Sequence, residues 1–362
     1  ASAPPPVLTC YDAADPANAL KRDTIIFTGL SISFLRGMAL EGSNVLVSTT
    51  APPELILVFD AADPNEFVRR PSFIAPGAVS SLARCGEIYW FSSGETLWRA
   101  TKDDIMGGKA NYKLLTGVSC LAGSPIVGNE NFACVIRKNG TAVYLESINN
   151  SGDTQSLLGS LQLAQSGFSV TSMILRGNYV YIYCTSANKP SLVIVHVANP
   201  AQMSISSQTE LISVVNYLQG MAISSSGEYL YLAYTNGNSD KGIRVVNITN
   251  PETPTVSSIF QTRGKIERVH FFKERVFAIS YSQLDQKTYI QSINATNAAA
   301  LAEESYMEFS GDACLFAFDG EYILNGRQNQ ITFYNYAQPT KKVKNLTPDD
   351  YFNTVGTLTI GS

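Results

Sequence analysis

Apolar residues in this chain fall in short runs, some alternating with polar residues and some continuous, and no sustained window shows the 3.6-residue period of an amphipathic helix. Two kinds of run recur in turn. The first is an aliphatic run closed by Asp or Asn, followed by a second Asp or Asn before proline. It reads LILVFDAADP at 55–64, LVIVHVANP at 192–200, IRVVNITNP at 243–251 and VLTCYDAADP at 7–16. Weaker copies close at Asn149, Asn294 and Asn335, and a degenerate one covers 97–103. The second kind is a short apolar run, a glycine turn and an aromatic–aliphatic run. RGMA at 36–39 leads into GSNVLVS at 42–48, and QGMA at 219–222 into GEYLYLA at 227–233. GNYVYIY at 177–183, GEIYWFS at 86–92 and GEYIL at 320–324 are relatives of it. A run, a glycine turn and a second run make a hairpin.

Together the two patterns predict a unit of four antiparallel strands: an inner hairpin, a variable loop, the aliphatic strand, an Asx–Pro turn and an outer strand. Copies lie roughly 40 to 50 residues apart, the length of a four-stranded blade. Such units cannot bury their faces alone and must stack around an axis. The expected fold is all-β, a single β-propeller of seven four-stranded antiparallel blades, with eight as the other count. Residues 1–30 then form an outer hairpin, 31–347 seven blade repeats, and 348–362 a closing strand or tail.

At 55–64, 192–200 and 243–251 the chain resembles the LVIVD-type repeat proteins, and at 224–235 with 242–247 it is more loosely similar to YVTN-type propellers. The resemblance implies a propeller of the kind found on secreted and cell-surface proteins. It supplies no catalytic residues.

Composition narrows the function classes. Charged residues make up 15% of the 362 and the net charge is −4, so no basic field attracts a phosphate backbone. The densest basic run is Lys341, Lys342 and Lys344, and nucleic acid is not an expected partner. Apolar runs are too short to span a bilayer, so direct membrane insertion is not expected. The opening ASAPPP reads as a mature end left by signal-peptide removal, or as an arbitrary boundary; the first makes the expected location secreted or extracellular. Six cysteines, at 10, 85, 120, 134, 184 and 314, show no zinc spacing. Cys120 and Cys134 could face each other across strands of one blade as a disulfide; the rival reading makes the cysteines small buried hydrophobes.

The repeated position held by Asp12, Asp60, Asn149, His196, Asn247, Asn294 and Asn335 reads as turn chemistry, since Asp and Asn bond backbone amides two residues on. No metal site and no cofactor are expected: His196 and His270 are the two histidines, and no dense calcium loop, P-loop or nucleophile motif is present. Aligning the inner strands on their glycine turns brings Arg36, Ser80, Thr171, Gln219, Glu267 and Cys314 to one position, with Arg268 and Asp312 beside them. Arg36, Gln219, Glu267, Arg268 and Asp312 are the expected ligand contacts at a channel mouth. The loops at 48–54, 138–141, 186–191, 236–241 and 283–287 vary while the strands repeat, which suits a scaffold that presents recognition loops. The leading expectation is a secreted or surface module binding a protein or glycan through one face. The alternatives are a hydrolase- or lactonase-like enzyme using Arg36, Glu267 and Arg268, and a structural or assembly protein of a cell surface or virion.

Overall fold

The computed structural model describes residues 68–310, except 122, 151–155, 166, 187–188, 212–216 and 237–239, together with the strands before and after that span. The chain falls into two compact units: Ala1–Ser80, Ala100–Lys113 and Ala313–Ser362 form one, Ser81–Arg99 and Leu114–Asp312 the other.

In the first unit β1 (Val7–Asp12) pairs antiparallel with β2 (Leu20–Ile26). Blade A follows, with β3 (Leu35–Glu41), β4 (Asn44–Thr49), β5 (Leu55–Asp60), β6 (Val68–Arg69) and β7 (Phe73–Ile74); β6 and β7 both pair with β5. Pro71 lies in the break between them, where an amide donor would be missing.

Blade B comprises β8 (Val79–Cys85), β9 (Ile88–Ser93), β10 (Thr96–Thr101) and β11 (Tyr112–Ser119). Blade C has β12 (Val127–Gly128), β13 (Phe132–Asn139), β14 (Ala142–Asn149) and β15 (Leu157–Ala164). Blade D has β16 (Phe168–Arg176), β17 (Tyr179–Ser186), β18 (Lys189–His196) and β19 (Ser204–Glu210). Blade E has β20 (Tyr217–Ile223), β21 (Tyr229–Asn236), β22 (Asp240–Asn247) and β23 (Thr255–Gln261). Blade F has β24 (Lys265–Phe272), β25 (Arg275–Ser282), β26 (Lys287–Asn294) and β27 (Ala302–Ser310). In the first unit, blade G has β28 (Leu315–Phe318), β29 (Tyr322–Arg327), β30 (Gln330–Asn335) and β31 (Gln338–Leu346). In each of blades C to G the four strands follow one another in sequence order across an antiparallel sheet. This is a β-propeller.

Stacking explains the continuous aliphatic runs. In β18, Val193 and Val195 join a cluster with Ile136 and Val143 of blade C, while Leu192 and Ile194 join one with Leu230 and Leu232 of blade E. Both faces of the strand are buried, so every position is apolar rather than every second one. Each such side chain contributes about 1.5–3 kcal/mol of burial. Blades B and C share Trp90, Leu97, Val135 and Ile148, and blades E and F share Tyr231, Val245, Val269 and Ile293.

The repeated Asx positions make turns where their side chains allow it. Asn247 Oδ1 accepts from the Thr249 amide and Asn294 Oδ1 from the Thr296 amide, both at 2.9 Å. In three copies the second Asx repeats this: Asn199, Asn250 and Asn297 each accept, at 3.1 Å, from the amide two residues on. His196 has no carbonyl oxygen to offer and instead lies against the Tyr179 ring, 5.2 Å between centroids. Asp60 forms an ion pair with Arg70. Of Asp12 and Asn335 the backbone alone is described, at the ends of β1 and β30. In the degenerate copy Thr101 caps a one-turn helix, α1 (Lys102–Met106), accepting from the Asp104 amide.

These turns also receive the neighbouring blade. Ser207 Oγ of blade D donates to Pro251 O of blade E at 2.8 Å, and Ser258 Oγ of blade E to Ala298 O of blade F at 2.7 Å. In blade C the matching position is Gly159, and the hydroxyl comes instead from Ser147, directly opposite it, which donates to Pro200 O of blade D.

Of the two readings of the cysteines, the Cys120–Cys134 disulfide is corrected and the buried-hydrophobe reading holds for the four described side chains. Cys85, Cys120, Cys134 and Cys184 are free thiols and buried; the side chains of Cys10 and Cys314 lie outside the described residues. Cys120 belongs to the edge of blade B, its amide donating to Glu95 O, whereas Cys134 lies within β13 of blade C. The residues between them link two blades and do not close a hairpin. Burial pushes the Cys120 thiol up to about 11 and those of Cys85 and Cys184 to about 12. At pH 8 these four thiols should therefore stay unlabelled by iodoacetamide in the native protein and react on unfolding. Peptide mass spectrometry of the native sample checks this; ready labelling of any of the four contradicts it.

Candidate functional site

Strand order gives every blade two ends. One end carries the hairpins between the first and second strands and the Asx turns. The other carries the hairpins between second and third strands and the links between blades. That hairpin end is where the aligned inner-strand residues fall. β16, β20 and β24 pack beside one another, as inner strands must. Each has one register irregularity near its start: Val170 and Ser172 pair with consecutive residues of β17, Leu218 and Gly220 with consecutive residues of β21, Ile266 and Arg268 with consecutive residues of β25. The residues squeezed out are Thr171, Gln219 and Glu267. A bulge of this kind re-aims a side chain out of the ladder. In the first unit β3 does the same between Leu35 and Gly37, at Arg36.

The alignment thus has a backbone cause that the sequence pattern did not reveal. Gly220, next to Gln219, has φ +149°, a conformation that favours glycine. Of Arg36 and Gln219 the backbone alone is described; Asp312 and Cys314 lie outside the described residues. Ser80 is exposed on β8, and Thr171 and Glu267 are half-buried. Arg268 and His270 alternate with Val269 and Phe271, which join the blade E cluster, so the two basic residues lie on the opposite face of blade F.

His270 keeps a solvent-exposed edge but sits deep among protein atoms, and that desolvation, with the Arg268 charge, lowers its pKa from the usual 6.5. A lowered histidine stabilises the fold in its neutral form. Its contribution is complete above pH 6.5 and is lost as pH falls through 6.5 toward the folded value. The urea midpoint should fall between pH 7 and 5.5, and His270→Gln should flatten that part of the profile. An unchanged slope in the variant would contradict this assignment.

The loops are shorter than the pattern suggested. Asn139 pairs with Ala142, Ser186 with Lys189, Asn236 with Asp240 and Ser282 with Lys287, so these are tight hairpins. The loop at 50–54 lies outside the described residues. Their side chains are braced. In blade E, Asp240 accepts from Tyr234 Oη at 2.9 Å and from Asn236 Nδ2 at 3.4 Å, and Gln261 Nε2 reaches Tyr234 Oη at 3.4 Å. Burial works to raise the Asp240 carboxyl, but these hydrogen bonds and the Arg244 charge outweigh it and hold it below the usual range. In blade D, Lys189 pairs with Glu210 at 2.8 Å. Neither cluster is visible as a motif, because Lys189 and Glu210 lie 21 residues apart on neighbouring strands and Gln261 lies 27 residues from Tyr234, two strands away in the sheet.

Among the described residues no group of three or more His, Cys, Asp or Glu is placed to hold a metal ion, and no helix is long and apolar enough to cross a membrane.

The LVIVD repeat matches this chain at 169–210 and 219–262, which are blades D and E. No curated protein sequence matches the chain. Among solved structures, apo AztD from Citrobacter koseri is similar at a TM-score of 0.66 and 12% identity, covering 97% of this chain and 94% of that one. Sqt1 from Chaetomium thermophilum gives 0.60 and 13%, covering 87% and 86%. A candidate 6-phosphogluconolactonase from Bacteroides uniformis gives 0.57 and 16%, covering 88% and 97%. At these identities the likeness is one of fold.

Proposed function

Taking the chain as a β-propeller built with LVIVD repeats, we propose that it is a secreted or surface-exposed recognition module that binds a protein or glycan through the hairpin end of its blades. One observation carries the reading: the inner strands bulge at aligned positions filled by unlike residues, Thr171, Gln219 and Glu267 in the second unit. The Asx turns show the opposite behaviour, with like residues doing one backbone job in successive blades. A scaffold repeats what holds it together and varies what meets a ligand. The similarity to the candidate lactonase brings no catalytic residues with it.

The test is a screen of the whole chain against a glycan array and a panel of purified extracellular proteins, followed by Gln219→Ala, Glu267→Ala and Lys138→Glu at the hairpin end. Binding should weaken by about tenfold or more, roughly 1.4 kcal/mol, with the melting temperature unchanged. Loss of binding from Glu228→Lys at the other end, with the hairpin-end variants silent, would sink the proposal. Turnover of a lactone abolished by Glu267→Ala would replace it with the enzyme.

A further inference from the structure

Blade F differs from the other described hairpins at its tip. Leu284 is 97% exposed, whereas the other large exposed hydrophobics, from Ile205 at 38% to Ile259 at 50%, keep about half their surface packed. An isolated exposed leucine on a mobile loop would mean little. This loop is braced at nearly every other position. Tyr281 Oη donates to Gln286 Oε1 at 2.7 Å, Gln286 Nε2 donates to Gln283 O at 2.7 Å, and Tyr289 Oη donates to Asp285. Lys287 pairs with Glu308 at 2.7 Å. Gln286 itself holds φ +55°, a left-handed conformation costly for a residue with a Cβ. The chain thus spends strain and four side-chain contacts to fix a loop that offers an apolar side chain to water.

We propose that this loop docks a protein by inserting Leu284 into an apolar socket on the partner, an inference that rests on the hairpin end being the recognition surface. A glycan is the poorer occupant. Sugar recognition needs hydrogen-bonding groups still free to pair and open aromatic faces, but here Asp285, Gln286 and Lys287 already have partners and Tyr289 is 7% exposed. A membrane is poorer still, because one leucine is a weak anchor and the carboxylates of Asp285 and Glu308 beside it, against the single cation Lys287, leave a net negative charge that anionic headgroups repel. The same carboxylates suit a socket whose rim carries lysine or arginine. A pre-ordered anchor loses little entropy on binding, which is how a single residue comes to dominate an interface.

The experiment pans a random constrained-peptide library against the wild-type chain and measures each selected peptide against Leu284→Asp, Leu284→Ala, Lys138→Glu and the opposite-end control Glu228→Lys. Leu284 touches little, so its variants should melt with wild type. Peptides rich in apolar anchors and basic flanks should lose about thirtyfold in affinity with Leu284→Asp, the effect of removing a hot-spot anchor, and keep it with Glu228→Lys at the opposite end of the blades. Peptides weakened by Lys138→Glu but not by Leu284→Asp would overturn the inference and leave the hairpin-end reading standing; peptides indifferent to both would overturn both. Leu284-dependent binding to phosphatidylserine vesicles, or an array glycan whose binding needs Leu284, would also overturn it.

Discussion

Replacing Asn150 with alanine should cost the fold about 3–5 kcal/mol, an effect at the top of the range for single substitutions. Asn150 is 4% exposed, and its amide joins blades B and C from both sides. Its Oδ1 accepts from the Trp90 indole at 2.7 Å, and its Nδ2 donates to the carbonyls of Cys85 and, at 3.0 Å, Asn129. Alanine would leave a buried indole N–H and at least one buried carbonyl unpaired while opening a small cavity. Asn150→Asp keeps the shape and still accepts from Trp90, but it cannot donate and places a charge among carbonyls, so it should be no milder. Urea unfolding followed by tryptophan fluorescence reads both; the midpoint should drop with the slope unchanged. A loss under about 1 kcal/mol would mean that water already serves these groups.

The second large effect is a coupling. Ser207 and Ser258 reach across to the next blade's turn from the outer strand, whereas blade C divides that job between Gly159 and Ser147. A Cβ at 159 would crowd Pro200 O and come within 3.1 Å of the Ala201 carbonyl. Gly159→Ser alone should cost about 1–3 kcal/mol as overpacking. Ser147→Ala alone should cost about 1–2 kcal/mol, because it strips the donor from a carbonyl that is partly buried. The double variant restores the arrangement of blades D and E, with serine on the outer strand and no hydroxyl opposite. It should therefore be less damaged than the sum by about 1 kcal/mol or more. Additive losses would show that the three blades do not share one latch.

Both effects rest on contacts between blades, and that is the level at which the sequence stops being legible. The strands could be read because their signals are local. An aliphatic run and an Asx–Pro turn identify β18 and β22, and a glycine turn identifies the hairpin before each. His196 shows the limit even there: it holds the Asx position in the pattern, but imidazole cannot accept as an amide does, and it packs on Tyr179 instead. Asn150 is masked in the sequence by its neighbour Asn149, which is the residue that fits the repeat. Nothing local marks the residue whose partners lie 60 and 65 positions away. The inner-strand alignment was readable as a column of polar residues, but not its cause, because a bulge adds one residue without changing the pattern of types around it. Cys120 and Cys134 admit a disulfide reading because the segment between them has the length of a hairpin, whereas its role is that of a link between blades.

The most direct test is hydrogen–deuterium exchange on the whole chain, with and without the tightest ligand from the protein and glycan panels. Protection is predicted at the hairpin end, in 138–141, 189–191, 240–241 and 283–287, and in the bulged starts of β16, β20 and β24. Protection confined to 177–178, 225–228 and 273–274, the turns of the opposite end, would contradict the account.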